Sequence, residues 1–317
     1  MEFDLIARHF TRATPGAVLG VGDDCALLAP TPGMQLAVTS DMLLEGRHFM
    51  KQDSPAGLGH KSLAVNLSDL AAMGATPRWA TLSIALPAAD DAWLAAFARG
   101  FFRVAEQFGI ELVGGDTTRG PLTFSITAIG ELPPGQALRR DGARVGDDVW
   151  VSGTIGSAAL ALAYRRGRLF MEQIDAARVL PALYLPTPRV PLGIALRGIA
   201  SAAIDISDGF AADLGHILER SQVGAVIEFP TLPLPPVAQA YLHEPVARDC
   251  VLAGGDDYEL CFTAPAAQRD AVLAAAARAG TAVTRVGRIV HEAGLAIVDA
   301  DGHRIPLDRT GHDHFAA

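Results

Sequence analysis

The sequence predicts a two-domain protein of the α/β or α+β class. Segments of helical and strand periodicity alternate along it. With 317 residues, half of them hydrophobic, it can bury one large or two medium cores, and two domains is the expectation. The pattern breaks across residues 133–148, where prolines, glycines and mixed charges intervene, and then restarts. We therefore place an N-terminal domain at residues 1–140 and a C-terminal α/β domain at residues 141–317.

Residues 2–10 carry a helical pattern, and residues 17–21 and 35–39 are extended apolar segments that run straight into acidic residues. Residues 58–73 align Leu63, Leu67, Leu70 and Met73 on one stripe, and Gly74 and Pro77 stop that helix. Residues 79–86 read as a strand, 91–108 as a long amphipathic helix ended by Gly109, and 110–113 and 122–129 as further strands. After the break, a strand at 149–151 leads through Ser152-Gly-Thr-Ile-Gly156 to a helix, and the proline-rich stretch 181–191 reads as an internal connection. A helix reaching Arg220 follows Ile204-Asp-Ile-Ser-Asp-Gly209, with a strand at 225–229 behind it. The tail alternates strands at 251–252, 260–263, 283–289 and 295–298 with a helix at 268–279. Asp69 and Asp116 recur as Asp208 and Asp256 at spacings that differ by one residue, an echo consistent with two related halves.

A net charge of −9 opposes non-specific attraction to nucleic acid. The three cysteines are scattered, without zinc-ligand spacing or a disulfide framework, and Cys25 reads as a small core residue. The acidic start is unlike a signal peptide, and the longest uncharged run is broken by glycine and hydroxyl residues, so we expect a cytoplasmic protein with no membrane partner.

The aspartates carry the chemical information. They fall in Gly22-Asp-Asp24, Thr39-Ser-Asp41, Asn66-Leu-Ser-Asp69, Gly114-Gly-Asp116 and Asp205-Ile-Ser-Asp208, mostly at strand ends or helix starts. Any one alone is ordinarily a helix cap, an Asx-turn or a solvated charge. Jointly, flanked by glycine and hydroxyl residues, they suit close approach to a ligand. Two carboxylates ~4 Å apart repel by roughly 4 kcal/mol at an effective dielectric near 20, so convergence demands a cation. Oxygen-only ligands suit magnesium, calcium or manganese, and magnesium bridges carboxylates to substrate phosphates. No Walker motif or protein-kinase catalytic loop is present. Ser152-Gly-Thr-Ile-Gly156 has the look of a phosphate-cradling loop or of a tight turn, and Lys61, Arg119, Arg140 and Arg144 are candidate cations.

The strings Gly22-Asp-Asp-Cys-Ala, Ala64-Val-Asn-Leu-Ser-Asp-Leu-Ala-Ala-Met-Gly, Gly114-Gly-Asp-Thr-Thr, Ile204-Asp-Ile-Ser-Asp-Gly, Gly255-Asp-Asp-Tyr-Glu-Leu and the closing Gly311-His-Asp-His-Phe resemble, in order and end to end, the bacterial thiamine-monophosphate kinases. The resemblance implies a fold shared with aminoimidazole ribonucleotide synthetase, an N-terminal domain that forms a homodimer interface, ATP as co-substrate and Mg2+. It implies ATP-dependent phosphorylation of thiamine monophosphate, and because that acceptor is a phosphate already anionic at neutral pH, we expect direct in-line transfer. Matching positions make Asp24, Thr39, Ser40, Asp41, Asp69, Asp116, Asp205 and Asp208 magnesium ligands, directly or through water. Gly115, Asp116, Arg140 and Ser207 match nucleotide contacts, with Asp205, Asp208 and Arg140 catalytic. His48, Asp257 and His312 fall where the family contacts thiamine monophosphate. Two positions depart: Asp256 stands where the family usually has Glu, and His312 where it generally has an aromatic ring, for which Phe315 is a possible substitute. Aminoimidazole ribonucleotide synthetase, selenophosphate synthetase, or a silent Mg-nucleotide binding protein are the competing readings.

Overall fold

The computed structural model describes residues 2–307 and residue 311. The chain divides into two compact units, Met1–Leu70 with Ala75–Gly135, and Ala71–Gly74 with Gln136–Ala317.

The first unit runs α1 (Glu2–His9), β1 (Gln35–Leu44), α2 (Pro55–Ala72), β2 (Thr76–Leu86), α3 (Asp91–Phe108), β3 (Glu111–Arg119) and β4 (Thr123–Leu132). Its four strands form one sheet in the order β1-β4-β2-β3, with β2 and β3 parallel and the other pairs antiparallel. Strand alternation sends Trp79, Leu82, Ile84, Phe124, Ile126 and Ala128 into the core, where Phe97 of α3 meets Phe124 at 4.8 Å between ring centroids. Helix α3 starts where the Asp90 carboxylate accepts the Trp93 N–H at 3.0 Å, and stops where Gly109 turns left-handed at φ 65°. Helices α2 and α3 touch through backbone. A Cβ on Gly100 would lie 1.9 Å from the Ala56 carbonyl oxygen, and one on Gly59 would lie 2.0 Å from that of Phe97.

The second unit contains β5 (Asp147–Ser152), α4 (Ser157–Arg165), α5 (Gln173–Tyr184), α6 (Val190–Ala195), β6 (Ala202–Asp205), α7 (Phe210–Ser221), β7 (Gly224–Glu228), α8 (Pro236–Tyr241), α9 (Pro245–Ala253), β8 (Leu260–Pro265), α10 (Arg269–Ala279), β9 (Val283–Val290) and β10 (Gly294–Val298). Its sheet has six strands in the order β10-β7-β9-β5-β8-β6, parallel only between β10 and β7. Val149, Val151, Ile204, Phe210, Leu214 and Val251 share its core.

Four expectations are corrected. Residues 17–21 make only isolated bridges, Leu19 to Leu27 and Val21 to Asp23, and form no strand. Residues 251–252 belong to helix α9, which Pro245 opens, because a short apolar pair has no period of its own. Pro181 lies inside α5, so residues 181–191 are not a single connection. The echo between the halves marks no repeated place: Asp69 sits within α2 and Asp116 on a strand, whereas Asp208 and Asp256 occupy loops.

Candidate functional site

In the first unit the period of two on β1 sorts the candidate ligands. Thr39 and Asp41 face α2, where the Thr39 hydroxyl donates to the Asp69 carboxylate and the Asp41 N–H donates to Asn66 Oδ1 at 3.1 Å. Asn66 is buried and steadied by its own Nδ2 donating to the Ser62 carbonyl at 3.1 Å. Asn66 and Asp69 are three apart on one helix, so they project from the same face. Ser40 points the other way, donating to the Ile126 carbonyl at 3.1 Å and accepting from Thr127 Oγ1 at 3.3 Å. The structure therefore joins Thr39 to Asp69, holds the Asp41 backbone against Asn66 on the same side of β1, and turns the Ser40 side chain the other way.

Asp116 is exposed on β3, and sheet register aligns it with Ser83, Ser125 and Met42, on the Ser40 side. Gly115 before it has φ 150°, and a Cβ there would meet the Leu82 carbonyl oxygen at 1.8 Å, so only glycine fits against β2. Asp24 lies in an exposed segment, its N–H donating to Asp23 Oδ1 at 2.9 Å. Cys25 is also exposed, which corrects its reading as a core residue. His48 is half-buried, and its Nδ1 accepts the Leu44 N–H at 3.0 Å. Lys61 is buried within α2, while Arg119 and Arg144 are exposed.

In the second unit β6 delivers Asp205, buried at its last position, into the loop Ile206 to Gly209. Beneath that loop is a residue absent from the sequence reading. Asp213 Oδ2 accepts the N–H groups of Ser207, Asp208 and Gly209, each at 3.0 Å. Burial, only partly offset by these N–H donors, pushes the Asp213 carboxyl up to about 7. Ser207 also accepts the Asp256 N–H through its carbonyl at 2.9 Å, which ties the loop to the segment before β8. Asp256 is left-handed at φ 71°, a region Asp tolerates better than most residues, and Tyr258 donates its hydroxyl to Asp256 Oδ1 at 3.0 Å. Arg140 is exposed on a segment held against β6, with the Arg139 carbonyl accepting from Ala203 N–H at 3.1 Å and the Arg140 carbonyl accepting from Ser221 Oγ at 2.9 Å.

Asp257 accepts the Gly156 N–H at 2.7 Å and the Ala158 N–H at 3.4 Å. Burial raises its carboxyl well above the ordinary carboxylate range, with those two N–H groups opposing. The start of α4, which in sequence resembled a phosphate cradle, is thus capped by the chain's own carboxylate. Glu259 is buried in a fork made by Arg189, with one bond at 2.6 Å, and takes a hydrogen bond from Ser152 Oγ at 2.5 Å. This proximity demands glycine at 153, whose Cβ would sit 2.0 Å from Glu259 Oε1. Arg189 and Glu259 were missed as a pair because 70 residues separate them. Gly311 is placed against the start of α7: an added Cβ would approach Ala212 Cβ to 2.4 Å and the Asp208 carbonyl oxygen to 3.1 Å. His312 and Phe315 lie outside the described residues.

Two acid-bearing α/β units, each presenting oxygen donors at strand ends and glycine turns, define the class. Family models for the AIR synthase related proteins match both, the N-terminal domain over residues 22–132 and the C-terminal domain over residues 144–300. A thiamine-monophosphate kinase of Salmonella typhimurium is 44% identical over 99% of this chain and 98% of its own. A crystal structure of thiamine-monophosphate kinase from Stenotrophomonas maltophilia K279a is similar at TM-score 0.85 and 49% identity, over 96% of both chains. A third relative, AaThiL complexed with AMPPCP and TMP, is similar at TM-score 0.78 and 29% identity, over 99% of this chain and 96% of its own. The chain belongs to the thiamine-monophosphate kinase family.

Proposed function

We propose that this protein phosphorylates thiamine monophosphate to thiamine diphosphate, with ATP as donor. The observation that carries the reading is the 44% identity to the Salmonella typhimurium thiamine-monophosphate kinase along nearly all of both chains. That AaThiL was captured with AMPPCP and TMP, in a fold similar over 99% of this chain, supports the same pair of ligands.

The donor types test whether magnesium fits. Thr39 and Asp69, in contact, and Asp41 on the same side of β1 offer only hydroxyl and carboxylate oxygen, the donor set a hard divalent cation prefers, with no thiolate or imidazole among them. With Asp24, Ser40 and Asp116 of the same unit they would serve as Mg2+ ligands, some through water, and Asp205 and Asp208 of the second unit are read as Mg2+ ligands as well. Mg2+, when bound, screens the charge of the polyphosphate and steadies its oxygens. Gly115, Asp116, Arg140 and Ser207 contact the nucleotide, with Asp205, Asp208 and Arg140 acting at the transferred group. The glycine at 115 lets backbone approach a phosphate, and the Arg140 guanidinium supplies a fixed positive charge. His48, Asp257 and His312 contact thiamine monophosphate. Asp257 arrives with its carboxyl already bonded to the α4 N-terminus, so its orientation is fixed before substrate enters.

The acceptor is a phosphate monoester with a second pKa of ~6, so its oxygen is anionic at neutral pH and no general base is required. The residues instead have to bring two anions into line, and transfer is direct, without a phosphoenzyme. Residues 1–140 act as the ATP, Mg2+ and dimerisation half, and 141–317 as the C-terminal half. Homodimerisation is favoured by β1, whose outward side chains Leu36, Val38, Met42 and Leu44 are 37–64% exposed. No described helix is long and apolar enough to cross a membrane, and the three free cysteines suit a reducing cytoplasm.

A coupled assay of ATP consumption with thiamine monophosphate, thiamine and aminoimidazole precursors as acceptors tests the reading. Turnover should depend on thiamine monophosphate alone, and Asp69→Ala or Asp208→Ala should abolish it with the fold retained by circular dichroism. Wild-type activity in either variant at low magnesium, or turnover with another acceptor only, refutes it. A radiolabelled phosphoryl group retained on the protein after ATP alone refutes direct transfer.

A further inference from the structure

We propose that Asp213 is a positioning residue for the reaction: its carboxylate fixes the backbone that presents Ser207 and Asp208. The inference rests on the reading of Asp208 as a metal ligand given above. Asp213 occupies the first turn of α7, is 2% exposed, and spends one oxygen on three consecutive N–H groups at 3.0 Å. Three N–H groups aimed at one point form a concave anion site, and here the chain supplies its own anion. Without it, three donors would be left without their acceptor, and the loop would relax to find others.

The rest of the loop is held by close backbone contacts, and Asp213 is the side chain that accepts its three N–H groups. A Cβ on Gly209 would lie 2.7 Å from the Ala253 carbonyl carbon. One on Gly255 would lie 2.2 Å from the Ser207 carbonyl oxygen, which already accepts the Asp256 N–H. Backbone therefore closes the loop on the carbonyl side and Asp213 closes it on the N–H side. The Asp208 side chain, half-buried, is what such a clamp leaves to be aimed. Groups that orient a ligand from behind commonly control metal affinity as strongly as some ligands do.

The test uses the full chain as wild type, Asp213→Ala, Asp213→Asn and Asp213→Glu. Binding of Mn2+ in the presence of β,γ-methylene ATP, which cannot turn over, is followed by electron paramagnetic resonance beside thermal unfolding, kcat and KM. We expect Asp213→Ala to weaken Mn2+ binding and lower kcat by about 10- to 100-fold, while KM for thiamine monophosphate changes little. Asp213→Asn keeps a carbonyl oxygen for the three N–H groups and should recover most of both losses. Wild-type Mn2+ affinity in Asp213→Ala, or no recovery in Asp213→Asn, overturns the proposal. Should Asp213→Ala fail to fold, Asp213→Glu decides, because it keeps the charge but displaces the oxygens by a methylene; its Mn2+ affinity should fall, and unchanged affinity overturns the role. If wild type itself binds no Mn2+ with the nucleotide analogue, the metal-site reading fails, which is a different result from equal binding by all variants.

Discussion

The contact between α2 and α3 makes a sharp prediction about one methyl group. Gly100→Ala would place a Cβ 1.9 Å from the Ala56 carbonyl oxygen, where real Cβ contacts stay beyond 3.0 Å. The obstacle is backbone, so relief requires the helices to separate by about 1 Å along their contact. Overpacking of this kind costs about 1–3 kcal/mol, and the high end applies when no side chain can swing away. Alanine's better helix propensity returns about 1 kcal/mol, leaving a net loss of about 1–2 kcal/mol. The control is Gly215→Ala in α7, where nothing lies within 4 Å of the added Cβ. There the propensity gain stands unopposed, and stability should rise by about 0.5–1 kcal/mol. At about 2–4 °C per kcal/mol for units of this size, calorimetry should show midpoints moving in opposite directions. Because α2 carries Asn66 and Asp69, Gly100→Ala should also weaken divalent-ion activation, and Gly215→Ala should not. Equal stabilisation by both substitutions would refute the close crossing.

Glu259 is buried and Arg189 partly exposed, so Arg189→Met or Glu259→Gln should each cost about 2–3 kcal/mol, below the cost for a fully buried pair, and the double substitution less than their sum. Denaturant midpoints of the four proteins measure this, and additive losses would contradict the paired geometry. Among the cysteines, only Cys25 should react with a thiol reagent in the native state at pH 8. Cys250 is buried with its thiol pushed up to about 11, and burial drives the Cys261 thiol higher still, so both remain protonated and should label only on unfolding or, for Cys250, as pH climbs toward that value. Two fast-reacting thiols at pH 8 would show that one of the buried pair is accessible.

Much of the fold was legible where local signals agree. Helix α3 was readable to its ends because Asp90 caps it and Gly109 terminates it, both through contacts within a few residues. Helix α9 was not, since Val251 and Leu252 are too short a run to declare a period, and its opening Pro245 lay among other prolines and charges. In the candidate site, the ordered acid motifs pointed to Asp69 and Asp208. Pairings were less visible than residues: Thr39, itself a candidate, meets Asp69 across 30 residues, and elsewhere Ser152 meets Glu259 across 107, distances over which no periodicity carries information. Asp213 was close in sequence to Asp208, yet an Asp four residues into a helix pattern reads as a solvated charge until its burial is seen.

Strand β1 has a further consequence. Neighbouring residues on it serve opposite clients: Thr39 and Asp41 look inward to α2, whereas Leu36, Val38, Met42 and Leu44 look outward. Because every second side chain shares a facing, a slip by one residue would turn Asp41 outward and Leu36, Val38 and Met42 inward at once. Under the proposed homodimer, a surface that covers Leu36, Val38 and Met42 would also hold Thr39 and Asp41 in place, so oligomerisation and divalent-ion binding should change together when the register is disturbed.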